Sequence, residues 1–102
     1  MSGDAAALVD VLKQRLLVVQ EISSIQSRSL LNRQRSGGAE FEIERIEREI
    51  AATGASHALA DALKDARERM QQANTELAAC DAHCAALELR LEELDRLIAD
   101  GR

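Results

Sequence analysis

The residues of this chain best suited to chemistry are two cysteines and a histidine, Cys80, His83 and Cys84. In a helix, the spacing i, i+3, i+4 places all three side chains on one face, where thiolates and an imidazole suit Zn²⁺ or Cu(I). They supply three ligands, whereas a structural zinc site uses four. A metal-binding or thiol redox module is therefore one interpretation of the chain.

The competing interpretation is that the two cysteines belong to the core of a helical structure. Cys80 and Cys84 continue a regular series of apolar positions, in which a free cysteine packs as a small hydrophobe. His83 then flanks the series and is half exposed. We favour this interpretation, and the sequence predicts neither a bound metal nor a cofactor.

A second group with binding chemistry consists of Arg28, Arg33 and Arg35, which lie between Ile22 and Ala39 in a stretch without an acidic residue. Such a positive patch could meet an acidic partner or a phosphate group, although a solvated helix face is the commoner role of such residues. Nucleic-acid binding is not expected, because the formal net charge of the chain is −5.

No catalytic motif accompanies these residues. Gly37 and Gly38 neither follow a predicted strand nor precede a lysine, so they do not form a phosphate-binding loop. No apolar run approaches the ~18–20 residues of a membrane span. The N-terminus lacks the basic start and apolar stretch of a secretory signal. We therefore expect a non-enzymatic cytoplasmic protein that does not associate with membranes.

The elements that carry these residues are predicted to be helices. The chain has 102 residues, is 46% hydrophobic and contains no proline, which is typical of long helices or coiled coils. Helix-breaking signals occur only at residues 36–38 and 53–56. We predict a single domain, 1–102, with helices 4–35 and 39–52, a turn at 53–56, and a long helix 56–100 that Ser56 caps.

The last of these helices carries the most regular pattern. Its apolar residues recur at alternating spacings of four and three, as the seam of a coiled coil requires. These positions are Leu59, Leu63, Ala66, Met70, Ala73, Leu77, Cys80, Cys84, Leu87, Leu91, Leu94 and Ile98.

The first half of the chain supplies a matching seam. Folding the chain back between Gly54 and Ala55 places residue i opposite residue 109 − i, so that Ile46 faces Leu63. The chain is therefore predicted to be all-α, an antiparallel coiled-coil hairpin whose first arm is kinked or broken near Gly37-Gly38. A three-helix bundle is the alternative. The register also sets Arg15, Ser29, Asn32 and Ser36 opposite Leu94, Cys80, Leu77 and Ala73.

Apolar side chains that lie outside this seam are expected near the two chain ends, where they remain exposed. The loop end is predicted to be solvated. Exposed apolar stripes mark association. We expect a homodimer that forms a helical bundle, a helical partner protein, or both. The expected function is a non-catalytic protein–protein interaction module, such as an adaptor, an assembly factor or a chaperone-like subunit. The residues predicted to form the interface are Leu8, Leu12, Leu16, Val19, Leu89 and Leu97.

Overall fold

The protein is all-α and forms a helical hairpin, as predicted. In a computed structural model that describes residues 2–101, helix α1 spans Ser2–Thr53 and helix α2 spans His57–Asp100. The two long helices pack against each other, and residues 2–101 contain no strand. Neither helix in this range has a stretch apolar enough to cross a bilayer.

The turn between the helices is short because two residues close it with local hydrogen bonds. Gly54 has a φ of +86°, a left-handed conformation that glycine adopts without a steric penalty, and its N–H donates to the Ile50 carbonyl at 2.8 Å. The Ser56 hydroxyl accepts from the Leu59 N–H at 3.1 Å, which confirms Ser56 as the cap of α2.

The first arm was predicted to be kinked or broken, and of these two alternatives the break is wrong. Helix α1 continues through Gly37 and Gly38, so the predicted helices 4–35 and 39–52 are one helix and the three-helix alternative does not apply. Each helical glycine costs about 1 kcal/mol relative to alanine. That cost is offset because Ala39 and Ile46, in the turns that follow, are almost completely buried against α2.

The contacts of the chain divide into two units, each containing a stretch of both helices. We call the part up to Ser27 and from Cys80 onward the terminal unit, and Arg28–Ala79 the loop unit. In both units, every predicted seam position of α2 is buried or half-buried. The coiled-coil pattern of α2 is therefore confirmed along its full length.

The seam of α1 follows the same alternating spacing within each unit. In the terminal unit its buried or half-buried positions include Val11, Val18, Ile22 and Ile25. In the loop unit they are Ser29, Asn32, Ser36, Ala39, Ile43, Ile46 and Ile50, together with Glu42 beside the seam. The polar residues predicted to interrupt the seam do lie in it.

Two cross-helix hydrogen bonds confirm the predicted register, one in each unit. In the terminal unit Arg15 Nε donates to Asp95 Oδ1 at 2.7 Å, one position from the predicted opposite residue. In the loop unit the Ser36 hydroxyl donates to Asn74 Oδ1 at 2.7 Å, again one position away. The polar groups of Arg15 and Ser36 thus form hydrogen bonds with α2 at the edge of the seam. Because these groups are paired, the apolar layers accommodate both residues.

The continuity of α1 predicts the effect of removing its glycines. A Cβ added at Gly37 or Gly38 meets no atom within 4 Å, so Gly37→Ala and Gly38→Ala should each raise the free energy of unfolding by about 0.5–1 kcal/mol. Urea denaturation followed by circular dichroism measures this. Gly54→Ala is the matched control and should lower stability, because its positive φ strains any L side chain. A loss of stability at Gly38 would contradict a regular helix there.

Candidate partner-binding surface

Large exposed apolar side chains are concentrated in the terminal unit. Of the ten in the described chain, seven lie there: Val9, Leu12, Leu16, Leu17, Val19, Leu89 and Leu97. The other three, Leu30, Leu31 and Phe41, belong to the loop unit. Exposed apolar surface of this density is uncommon on a protein that works alone, so the terminal unit is the first place to look for a binding surface.

Four of these residues form a continuous line on α1, which we call the α1 stripe. Val9, Leu12, Leu16 and Val19 follow one another at spacings of three, four and three, and their exposed fractions lie between 38% and 58%. This spacing keeps them on one face of the helix, beside the buried seam. Helix α1 thus has one seam facing α2 and a second apolar face open to solvent.

Leu8 and Leu97 do not join the α1 stripe. Leu8 is half-buried and continues the buried seam toward the chain end, where it lines a shallow groove with Val11, Leu97 and Gly101. Leu97 is exposed on the rim of that groove. The sequence grouped these two leucines with the stripe, and the structure places them in a separate groove.

Hydrogen bonds show that Leu97 lies on the opposite flank of the terminal unit from Leu12. Arg90, seven residues before Leu97 and so on the same face of α2, donates through Nη2 to Gln14 Oε1 at 3.0 Å. Gln14 is two residues from both Leu12 and Leu16, and two residues correspond to a rotation of about 200° around α1. Gln14 therefore lies on the opposite side of α1 from these leucines. Leu89, 62% exposed, lies one residue from Arg90 and faces away from both apolar surfaces. The six predicted interface residues therefore occupy three different places.

The stripe lies beside a row of carboxylates on α2, which we call the acidic row. Asp81, Glu88 and Asp95 are seven residues apart and therefore share one face of α2. Asp95 accepts from Arg15, whose neighbours three residues before and four residues after are Leu12 and Val19. This contact places the acidic row on the flank of the terminal unit that carries the α1 stripe.

The cysteines have the environment of core residues. Cys80 and Cys84 are half-buried free thiols in the seam, and the Cys84 thiol donates to Glu88 Oε1 at 3.7 Å. Burial, together with the negative charges of Glu88 and Asp81, raises the pKa of Cys84. A raised pKa lowers the thiolate fraction at neutral pH, so Cys84 lacks the activation that redox-active thiols have.

His83 points to a different partner from the two cysteines. Its Nε2 lies 3.3 Å from Glu21 Oε1 on α1, on the flank of Gln14 and Arg90. Within residues 2–101, no group of three or more His, Cys, Asp or Glu side chains is arranged to hold a metal ion. The geometry therefore gives no support to the metal-binding interpretation of Cys80, His83 and Cys84.

The predicted basic patch is divided between two flanks of the loop unit. Arg33 and Arg35 are two residues apart, a rotation of about 200°. Arg35 borders a surface depression of about 390 Å³ together with Asn32, Gly38, Arg69 and Glu76. In the part of the chain that the structure describes, Arg28, Arg33 and Arg35 form no ion pair. They do not converge on one point, as the recognition of a phosphate group requires.

The second arginine of this depression is already paired with two carboxylates. Arg69 donates to Glu42 at 2.7 Å and to Asp65 at 3.1 Å, and these hydrogen bonds and charges raise its pKa above the ordinary value.

Asn32, only 4% exposed, donates to the Arg28 carbonyl at 3.1 Å, and its Oδ1 has no hydrogen-bond partner within residues 2–101. An unpaired buried acceptor weakens this layer of the seam.

Three exposed apolar residues of the loop unit were missed by the sequence analysis. Leu30, Leu31 and Phe41 lie beside charged residues, and Phe41, 65% exposed, belongs to the loop end that was predicted to be solvated. Their exposure could have been predicted from their positions in the sequence, which lie outside the seam. In a two-helix hairpin, no second helix covers an apolar residue outside the seam. They do not form a row at helical spacing comparable to the α1 stripe.

The comparisons with known proteins identify no relative. No family model, curated protein or solved structure matches this chain. The α1 stripe and its acidic border are therefore interpreted from their own geometry and chemistry. Among the surfaces described, this is the one that combines a continuous apolar face with charged residues at a regular spacing.

Proposed function

We propose that this chain is a non-catalytic protein-binding module, an adaptor, assembly factor or chaperone-like subunit, that binds an α-helix along the α1 stripe. One observation carries the proposal. Val9, Leu12, Leu16 and Val19 form a second coiled-coil seam on α1 and remain exposed while the first seam is buried against α2. The pattern is that of a helix with two helical neighbours, of which the hairpin provides one.

The spacing of the stripe favours a helical partner over an extended one. Its residues form a ridge at intervals of three and four, which complements the grooves on another helix. An added β-strand would need an exposed sheet edge, and the described residues contain no strand. A helix lying along Val9–Val19 would cover about 15 Å of α1.

The energy available from the stripe is moderate. Complete burial of a Leu or Val side chain stabilises a complex by about 1.5–3 kcal/mol, and these four residues are already half-covered. Association itself costs at least about 4 kcal/mol in lost translational and rotational freedom. The apolar stripe thus suits a partner that gains further contacts from neighbouring side chains.

The proposal is tested by replacing the two central leucines of the stripe. Leu12→Glu/Leu16→Glu should abolish capture of a partner from the native source, and any self-association, because it places two charges on a face that must be desolvated. Affinity capture and light scattering measure these two readouts. Circular dichroism checks that the helix content is unchanged, since both leucines lie outside the buried seam.

Leu89→Glu/Leu97→Glu is the matched control, because it introduces the same two charges at exposed leucines away from the α1 stripe. It should leave both readouts at the wild-type level. Equal capture and equal mass for the stripe variant and the wild-type chain would overturn the proposal.

A further inference from the structure

Negative charge is concentrated where the apolar stripe is exposed. The described residues of the terminal unit include nine acidic and four basic residues, whereas the loop unit has nine and eight. The net charge of the chain therefore arises mostly from the terminal unit. A ligand approaching the α1 stripe meets a negative electrostatic potential, which selects among partners with the same apolar face.

The acidic row is the part of this charge nearest the stripe. Asp95 is neutralised by Arg15, but neither Asp81 nor Glu88 has a basic partner within residues 2–101. Burial raises the pKa of Cys84, which lies in the seam between these two residues, and the charges of Glu88 and Asp81 raise it further. Two carboxylates thus stand unneutralised along the border of an apolar face.

A second copy of this chain is a poor match for that face. Packing two α1 stripes together about a two-fold axis brings the acidic row of each copy to the same interface. The basic residues beside the stripe on α1 are Lys13 and Arg15, and Arg15 is already paired with Asp95, so one lysine remains against the two unpaired carboxylates of the row. Partial desolvation of like charges at one interface opposes association.

We propose that the occupant of the α1 stripe is a basic amphipathic helix of another protein, with lysines or arginines beside its apolar face that reach Asp81 and Glu88. This inference rests on the proposed function and names its partner class. The apolar residues of the bound helix cover Val9, Leu12, Leu16 and Val19. Its basic flank supplies the cations that the acidic row lacks, which sets both the orientation and the selectivity of binding.

The test compares two synthetic helical peptides against the full chain. Both are stapled helices of about 20 residues with the same leucine stripe, and the flanking positions carry lysine in one peptide and glutamate in the other. Fluorescence anisotropy should show that the lysine peptide binds at least about tenfold more tightly. This preference should shrink as salt rises from about 0.05 to about 0.5 M, because surface charges are then screened.

Charge reversal in the acidic row tests whether Asp81 and Glu88 cause the preference for the lysine peptide. Asp81→Lys/Glu88→Lys should abolish or invert the preference between the peptides. Glu93→Lys/Asp100→Lys changes the net charge equally on the flank marked by Arg90, which pairs with Glu93, and should preserve the preference. Leu12→Glu/Leu16→Glu should weaken the binding of both peptides, a result that tests the stripe independently of the charges.

The outcomes separate the two proposals. Equal binding of the two peptides, with both still dependent on the stripe, would overturn the basic partner and leave the proposed function standing. A stripe-dependent homodimer in sedimentation analysis would do the same and identify a second copy as the occupant. Peptide binding that is absent, or indifferent to Leu12→Glu/Leu16→Glu, would overturn this inference, and the capture experiment would then decide the proposed function separately.

Discussion

Leu94→Ala is expected to lower the free energy of unfolding by about 2–5 kcal/mol. Leu94 is one of the largest fully buried side chains of the terminal unit, with 0% of its surface exposed. Its truncation removes apolar contacts and leaves a void that a two-helix hairpin can fill only by moving the helices. Urea denaturation monitored by circular dichroism measures the change, with an unaltered slope indicating a simple loss of stability.

Leu89→Ala is the matched control, because it makes the same substitution on the same helix at a residue that is 62% exposed. It should change the free energy of unfolding by no more than about 0.5 kcal/mol. Similar effects at Leu89 and Leu94 would contradict the assignment of Leu94 to the buried seam and of Leu89 to the surface.

Asn32→Leu is expected to change stability in the opposite direction, raising the free energy of unfolding by about 2 kcal/mol. The substitution removes a buried Oδ1 that has no hydrogen-bond partner among the described residues and places an apolar side chain in the layer predicted to contain Leu77. The hydrogen bond from Asn32 Nδ2 to the Arg28 carbonyl is lost. That loss is smaller than the gain, because a typical hydrogen bond contributes only about 1 kcal/mol net.

The control for this prediction is Asn74→Leu, at an exposed asparagine whose Oδ1 accepts from Ser36. It should be neutral or slightly destabilising, because it removes a satisfied hydrogen bond at the surface. A destabilised Asn32→Leu variant would show that the amide is better satisfied than the structure indicates. Light scattering should accompany both measurements, because a polar seam residue can also fix register and oligomeric state.

The fold could be predicted closely because two stretches of sequence specify the same pairing. The seam of α2 has no irregular spacing, and the seam of α1 matches it about the Gly54 turn. The position of the turn therefore determines which residues of the two helices face each other. Of the kink or break predicted at Gly37-Gly38, the break was wrong because helix propensity is a local quantity. Burial of Ala39 and Ile46 against α2 provides the tertiary contribution that propensity omits.

The candidate surface was only partly predictable from the sequence. The predicted residues lie near the same end of the hairpin, but they project from different faces of the two helices. Leu12, Leu16 and Val19 were correctly expected to be exposed, but Val9, which completes their row, was not included. Leu97 was grouped with them since it lies near the same end, although the Arg90–Gln14 hydrogen bond shows that its face of α2 lies on the opposite flank. The acidic row becomes a border of the stripe only when the hairpin is assembled.

The seam of the loop unit includes three alanines, Ala39, Ala66 and Ala73, each at most 4% exposed. In the predicted register each of these alanines lies opposite a longer side chain, Ala39 opposite Met70, Ala66 opposite Ile43 and Ala73 opposite Ser36, so small and larger side chains fill each layer together. A longer side chain at such a buried position overpacks the layer and forces the facing side chains or the helices to shift. The fit between the two helices of the loop unit therefore depends on these three positions staying small.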